Sequence, residues 1–305
     1  MILDCDPGYD DALALMLTVA SPELELLGVT TVAGNQSLAK TTANAIRVLD
    51  HLGAWAVPVT AGAPRPLLRS PAFAAEVHGE SGLDGSGLPP AARAAGPGHA
   101  IDWIASTVAV SPEPVTLVAT GPLTNVALVL ARHPELTDGL ARIVFMGGAI
   151  GEGNVTPAAE FNVWADPEAA QRVLTSGVEL AMVGLDVTHR ALLGPAHVAR
   201  LQVAGSAGRV VAGLYGFCVG HHRARYGWDA VPVHDAVAVA EVIDPSLLTR
   251  RRCGVIVDTG SELGRGRTHV DRWGEMGWER TCEVAVDIDP ERFLELLVSR
   301  ICALA

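Results

Sequence analysis

Short apolar, β-rich runs alternate along this chain with longer stretches in which apolar side chains recur every three or four positions. The first pattern predicts strands at residues 1–3, 26–31, 57–60, 115–119, 143–146 and 180–184. The second predicts helices at 11–20, 37–52, 100–110, 123–132, 167–175, 235–242 and 290–303. Strand followed by helix, repeated, specifies an α/β fold: an open, mostly parallel, Rossmann-like sheet with helices on both faces. Residues 254–286 read as antiparallel strands, a small addition near the C-terminus with little chemistry in it. Residues 69–100, rich in Gly, Pro and Ala, read as one long surface loop, and so long a loop is usually functional or mobile. No repeat and no linker interrupts the pattern, so residues 1–305 are read as a single domain.

Composition narrows the partners. With 49% hydrophobic and 18% charged residues the chain has the make-up of an ordinary globular protein. Its mean hydropathy is +0.30, yet no run of about 18 uncharged apolar residues is present, so no membrane partner is expected. Asp4 also interrupts the start too early for a signal peptide, and the chain is read as cytoplasmic. Five scattered cysteines with no C-x-x-C suggest buried thiols rather than a disulfide framework or a zinc site. A net charge of −12 with one lysine, Lys40, argues against nucleic acid as a partner and favours a small neutral ligand.

The polar clusters fall at strand ends. "DCDPGYDD" (residues 4–11) follows the first predicted strand, "AGN" the second, "ATGPLTN" (119–125) the fourth and "MGG" (146–148) the fifth. In open α/β sheets ligands bind outside the carboxyl ends of the strands, so these four clusters converge there. Four carboxylates in eight positions repel unless they take up protons or a cation, and an all-oxygen set suits a hard ion, Ca²⁺ or Mg²⁺, over zinc. An EF-hand is excluded: its sixth and twelfth positions want Gly and Glu, and counting from Asp4 gives Tyr9 and Leu15. A haloacid-dehalogenase-type phosphatase would use Asp4-x-Asp6, but no lysine beyond Lys40 exists to neutralise a phosphoaspartate. Capping aspartates at a helix start account for Asp10 or Asp11, not for all four.

The chain resembles the inosine-uridine preferring nucleoside hydrolase family. The hallmark D-x-D-P-G-x-D-D-A matches residues 4–12 at every fixed position. "TTVAGN", "HGESG", "ATGPLTN", "FMGG", "EFNVWADPEAA" and "VHDA" follow in family order over nearly the whole chain. The resemblance implies Ca²⁺-dependent hydrolysis of the N-glycosidic bond of ribonucleosides by a homodimer or homotetramer. It implies Ca²⁺ ligands at Asp6, Asp11, the Thr120 carbonyl and Asp235, with Asp4 supporting rather than ligating. Asp6 is the implied general base and His234 the acid toward the leaving base. Asp10, Asn35 and Asn162 are implied to grip the 2′ and 3′ hydroxyls, and Asn154 with Glu160 the 5′ hydroxyl. Met146 and Phe161 are expected to line the site, and His78 the base pocket.

Alternatives stand beside these roles. Without the resemblance, His234 at a predicted helix start reads as a structural hydrogen-bonded histidine, and Asn35 as a helix cap. His221 and His222 are adjacent, diverge on a helix, and are expected at the solvent surface. Tyr226 and Trp228 are the candidates to stack on the base. With Lys40 the sole lysine, a 5′-phosphate would face Glu160 unneutralised, and nucleotides are expected to be rejected. A different class of function, a non-catalytic calcium-dependent nucleoside or ribose binder, would keep the pocket without turnover; the presence of Asp6, Asp10, Asp11, Asn162 and Asp235 favours the enzyme.

Overall fold

The computed structural model describes residues 1–304, and a nine-stranded sheet runs through it. Strand β1 (Ile2–Cys5) pairs in parallel with β2 (Gly28–Thr31), which pairs with β3 (Val59–Ala61). On its other side β1 pairs in parallel with β4 (Val115–Ala119), followed by β5 (Leu140–Met146) and β6 (Leu180–Val183). The resulting order 3-2-1-4-5-6 is that of doubly wound α/β folds, and it reverses direction between β1 and β4. A short ladder of β7 (Leu192–Leu193) and β8 (Val231–Pro232) stands apart. Strands β9 (Leu248–Val257) and β10 (Thr268–Asp271) are antiparallel, whereas β11 (Cys282–Ile288) joins β6 in parallel, so the C-terminal strands extend the main sheet.

Alternation along the strands fills two cores. Leu3, Val118, Val144 and Val183 face helices α1 (Tyr9–Ala20) and α2 (Leu38–His51). Ile2, Leu117, Ile143 and Phe145 face α4 (Ala100–Val110), α5 (Thr124–Arg132) and α7 (Pro167–Leu174), with the one-turn α3 (Ala75–His78) and α6 (Phe161–Ala165) lying over the sheet ends. The first side also carries α8 (Leu185–Thr188), α9 (Pro195–Ala204), α10 (Ser206–Tyr226), α11 (His234–Ile243) and α12 (Pro290–Cys302). Strands buried on both faces must read as continuous apolar runs, which is why the sequence exposes them.

Differences from the sequence reading have local causes. Strand β1 runs on to Cys5 because Asp4, inside it, is satisfied by Thr30 Oγ1 (2.6 Å) and Asn125 Nδ2 (2.8 Å) from the neighbouring elements. Helices α3, α6, α8, α9 and α10 carry no clear periodic signal. Helix α10 contains Gly208, Gly213, Gly216 and Gly220, which break the apolar stripe. Gly213 is there for contact: a Cβ would lie 2.2 Å from the Gly85 carbonyl, so α10 rests directly on the loop of residues 69–100. That loop is not merely superficial, since His78, Leu83, Ser86 and Leu88 are buried.

One buried ion cluster ties the two halves of the sheet to α11. Glu241, fully buried, accepts from Arg142 of β5 (3.0 Å) and Arg250 of β9 (2.7 Å). Replacing Glu241 by Ala strands Arg142 and leaves Arg250 only its pairing with Glu283 (3.2 Å), and breaking such a buried cluster costs about 3 kcal/mol. Urea unfolding of Glu241→Ala should show a loss of that order; a loss below about 1 kcal/mol would mean that the arginines find water instead.

Candidate active site

The site is built on the switch point between β1 and β4. Pro7 and Gly8 turn the chain after β1, and α1 starts at Tyr9, which puts Asp10 and Asp11 in its first turn, where the helix dipole favours anions. Asp11 is the best satisfied carboxylate: it accepts from the backbone N–H of Asp6 (3.2 Å) and Gly8 (3.0 Å), Thr120 Oγ1 (2.8 Å) and Asn35 Nδ2 (3.2 Å). Asp6 Oδ2 accepts from the Asn35 N–H at 2.6 Å, while Asp6 Oδ1 and Asp10 Oδ1 are buried without a partner. Glycine is needed around Asp6: a Cβ at Gly34 would stand 2.0 Å from its Oδ2, and one at Gly121 2.7 Å from its Oδ1.

Electrostatics make this floor unstable as a bare anion cluster. Burial raises the carboxyls of Asp6, Asp10, Asp11 and Asp235, and mutual repulsion adds to it for Asp6, Asp10 and Asp235. Burial lifts Asp4 beneath them to about 7 against its two hydrogen bonds. Among the described residues no arginine or lysine hydrogen-bonds to any of the five. Oxygens of Asp10, Asp11 and Asp235 come within 4.8 Å of one another, close enough to share one cation. Orphaned, desolvated carboxylate oxygens in an all-oxygen set fit a hard divalent ion. The trio contains Asp10 where the sequence reading has Asp6 as ligand; Asp6 touches it through the charge it shares with Asp11. The Thr120 carbonyl accepts from Asn162 Nδ2 at 2.7 Å.

Above the floor opens a cavity of about 230 Å³. Asp10, Asn35, His78, Thr120, Met146, Asn154, Glu160, Phe161, Asn162, Tyr226, His234 and Asp235 all line it, so twelve sequence-distant candidates converge. Asp6 and Asp11 lie fully buried beneath. Trp228 does not reach the wall: it stacks behind Tyr226 at 4.5 Å between ring centres. Asn35 caps no helix; its amide ties Asp6 to Asp11. Asn162 also reaches the Met146 carbonyl (3.2 Å). Glu160 caps α6, accepting from the N–H groups of Asn162, Val163 and Gly148, while burial lifts its carboxyl to about 7 against them.

Several wall residues are not site candidates in the sequence reading, among them His221 and His222, which it expects at the solvent surface. His222 is 4% exposed, not at the solvent surface, because α10 turns it under the cavity against Tyr9 and Tyr226. His189 packs against Tyr226, Trp228 and His234. It follows the carboxyl end of β6, and that position alone could have flagged it. Arg225 stands at the mouth, hydrogen-bonded to the Asn154 carbonyl. The cavity therefore does hold a cation, and the lysine count is no ground for excluding a 5′-phosphate. His234 Nδ1 shares a 2.8 Å hydrogen bond with Thr188 Oγ1; burial, with His189, His222 and His78 nearby, holds its pKa well below the usual imidazole range.

Comparisons with known proteins agree in one direction. The family model described as "Inosine-uridine preferring nucleoside hydrolase" matches residues 1–295. The pyrimidine-specific ribonucleoside hydrolase RihA of Klebsiella pneumoniae subsp. pneumoniae is 46% identical over 303 residues, 99% of this chain and 97% of that protein. Among solved structures, the plant nucleoside hydrolase PpNRh1 superposes with a TM-score of 0.94 at 32% identity, covering 99% of this chain and 98% of that one. A purine-preferring ribonucleoside hydrolase from Gardnerella vaginalis does so with a TM-score of 0.94 at 34% identity, with the same coverage.

The raised carboxyls have a consequence for stability. In the cation-free protein the folded state keeps protons that the unfolded chain has released, so stability falls as pH rises from about 4, the ordinary carboxylate value, through about 7, where Asp4 titrates. Chelated protein should unfold at lower urea near pH 8 than near pH 5, and a divalent cation should close most of that gap. Equal stability of the chelated protein at both pH values would contradict a repulsive floor.

Proposed function

Because the chain belongs to the inosine-uridine preferring nucleoside hydrolase family and is a ribonucleoside hydrolase, we propose that it cleaves the N-glycosidic bond of pyrimidine ribonucleosides with a bound Ca²⁺, releasing ribose and the free base. The observation that carries the reading is the buried floor at the switch point, where Asp10, Asp11 and Asp235 converge under a cavity and Asp6 Oδ1 has no partner. The pyrimidine preference rests on likeness to RihA, whose name states it. Family membership supports a single domain, a cytoplasmic location and a homodimer or homotetramer; among the described residues no helix is long and apolar enough to cross a membrane.

Asp11 and Asp235, with Asp6, Asp10 and the Thr120 carbonyl around them, would hold the cation. When bound, it supplies the positive charge that lets these carboxylates ionise together and that orients and acidifies a water. The residues then meet two demands of breaking a ribosyl C–N bond: positive charge grows on the sugar, and negative charge on the departing base. Asp10, Asn35 and Asn162 fix the 2′ and 3′ hydroxyls, and Asn154 with Glu160 the 5′ hydroxyl, so the anomeric carbon is presented to the floor. Asp6 takes the proton of the attacking water, and its charge with that of Asp10 favours an oxocarbenium-like ring. His234, anchored at Nδ1 by Thr188, turns Nε2 to the base. Burial and the neighbouring histidines lower its pKa, so the imidazolium, when formed, is a stronger acid toward the departing base and returns to the neutral ring as it gives up the proton.

Two outcomes follow. Uridine and cytidine should be hydrolysed faster than inosine, and Asp11→Ala should lose bound Ca²⁺ and rate together while the fold survives. Full activity of Asp11→Ala after exhaustive chelation would sink the cation assignment. His234→Ala should slow uridine about 10²-fold or more, yet nearly spare p-nitrophenyl riboside, whose leaving group needs no proton. Equal losses on the two substrates would return His234 to a structural role.

A further inference from the structure

Tyr9 fills the variable position of the hallmark between Gly8 and Asp10, and its side chain is 3% exposed. Its ring stacks on His78 (5.1 Å between centres, 25° between planes) and meets His222 edge-on (6.0 Å, 75°). The phenol donates to the Pro232 carbonyl at 2.7 Å, and a carbonyl only accepts, so the single hydroxyl proton is used there. The same oxygen lies 3.4 Å from His222 Nε2, towards which it has only a lone pair to offer. His222 must then carry its proton on Nε2, and Nδ1 is left as a bare acceptor. That Nδ1 is buried without a partner, on a side chain in the cavity wall.

His78 is fixed the other way round. The backbone N–H of Tyr9 donates to its Nδ1 at 3.2 Å, so the proton sits on Nε2. Burial, with the adjoining histidines adding, holds His78 at about 3 and His222 at about 4, and both rings are neutral at physiological pH.

We propose that Tyr9 is a positioning residue that sets these two imidazoles in opposite polarity, His78 as donor and His222 as acceptor, and that the pair selects a base edge with a carbonyl beside a ring N–H. Uracil has that edge at C2=O and N3–H. Cytosine carries a bare N3 there, which would set one lone pair against another and leave His222 unsatisfied. The inference rests on the pyrimidine ribonucleoside reading above and sharpens it: uridine is favoured over cytidine by about tenfold or more.

The test is the ratio of kcat/KM for uridine to that for cytidine, measured on the full-length, Ca²⁺-loaded enzyme and on Tyr9→Phe and His222→Ala. A ratio taken on one enzyme cancels losses from folding or metal content. Tyr9→Phe keeps the ring and removes the oxygen that holds the tautomer, so its ratio should fall towards one, as should that of His222→Ala. ¹⁵N NMR of histidine-labelled protein supplies a readout that packing alone would not move: His222 Nδ1 should appear as the unprotonated nitrogen in the wild type and move towards a tautomer average in Tyr9→Phe. Wild-type enzyme that cleaves both nucleosides equally, or a ratio unchanged in both variants, overturns the polarity assignment and leaves the pyrimidine reading standing. Wild-type enzyme that cleaves inosine but neither pyrimidine nucleoside overturns both.

Discussion

Five carboxylates, Asp4, Asp6, Asp10, Asp11 and Asp235, share a floor from which water is excluded. Like charges at such range in a low-dielectric setting cannot all ionise unless opposite charge joins them, and among the described residues no arginine or lysine hydrogen-bonds to them. Much of the surrounding architecture reads as a response to that constraint. Asp11 is held by four donors, Asp4 by two from neighbouring elements, and Asp6 is threaded between two glycines that leave no room for a Cβ. Of the three oxygens left without partners, on Asp4, Asp6 and Asp10, those of Asp6 and Asp10 are the ones that a cation and a sugar would use.

The fold makes such a floor possible by topology. At the switch point the chain leaves β1 in one direction and β4 in the other, so their following turns part and expose a crevice. The start of α1 delivers Asp10 and Asp11, the turn after β4 delivers Thr120, and α11 brings His234 and Asp235 from far along the sequence. Helix α10 and the loop of residues 69–100 close the opposite wall, joined where Gly213 meets Gly85. In the proposed function, ribosyl chemistry and base recognition would thereby fall to different parts: the sheet ends would hold the sugar side, and the helix-loop pair the base side.

This division explains what was legible in the sequence. Strands β1 to β6 and the helices with a single apolar stripe announce themselves, because burial on fixed faces forces a period on the side chains. The sugar side was legible too, since Asp6, Asp10, Asp11 and Asn35 sit in tight turns whose residue types are dictated by chemistry. The base side was legible only in part: His78, Tyr226 and His234 are named as site candidates in the sequence reading and line the cavity, but three further residues there are not. His222, His189 and Tyr9 are ordinary residues by local pattern, and only tertiary packing turns them inward. Helix α10 hides for the same reason: Gly208 and Gly213 serve contacts with Leu201 and Gly85, and with Gly216 and Gly220 they erase the periodicity that would have revealed it. Trp228, the more conspicuous aromatic, lies behind Tyr226 because the chain turns at Gly227 in a left-handed conformation.

The central claim is that the floor exchanges protons for a divalent cation. It is tested most directly by titrating Ca²⁺ into chelated protein near pH 6 in a calorimeter, in two buffers of different ionisation enthalpy. Buried carboxyls that hold protons when no cation is present must release them as it binds, so the apparent heat should differ between the buffers. The proton release should shrink as pH is raised, and binding should vanish in Asp11→Ala. Binding of Ca²⁺ with no proton release at pH 6, or no binding at all, would contradict the account.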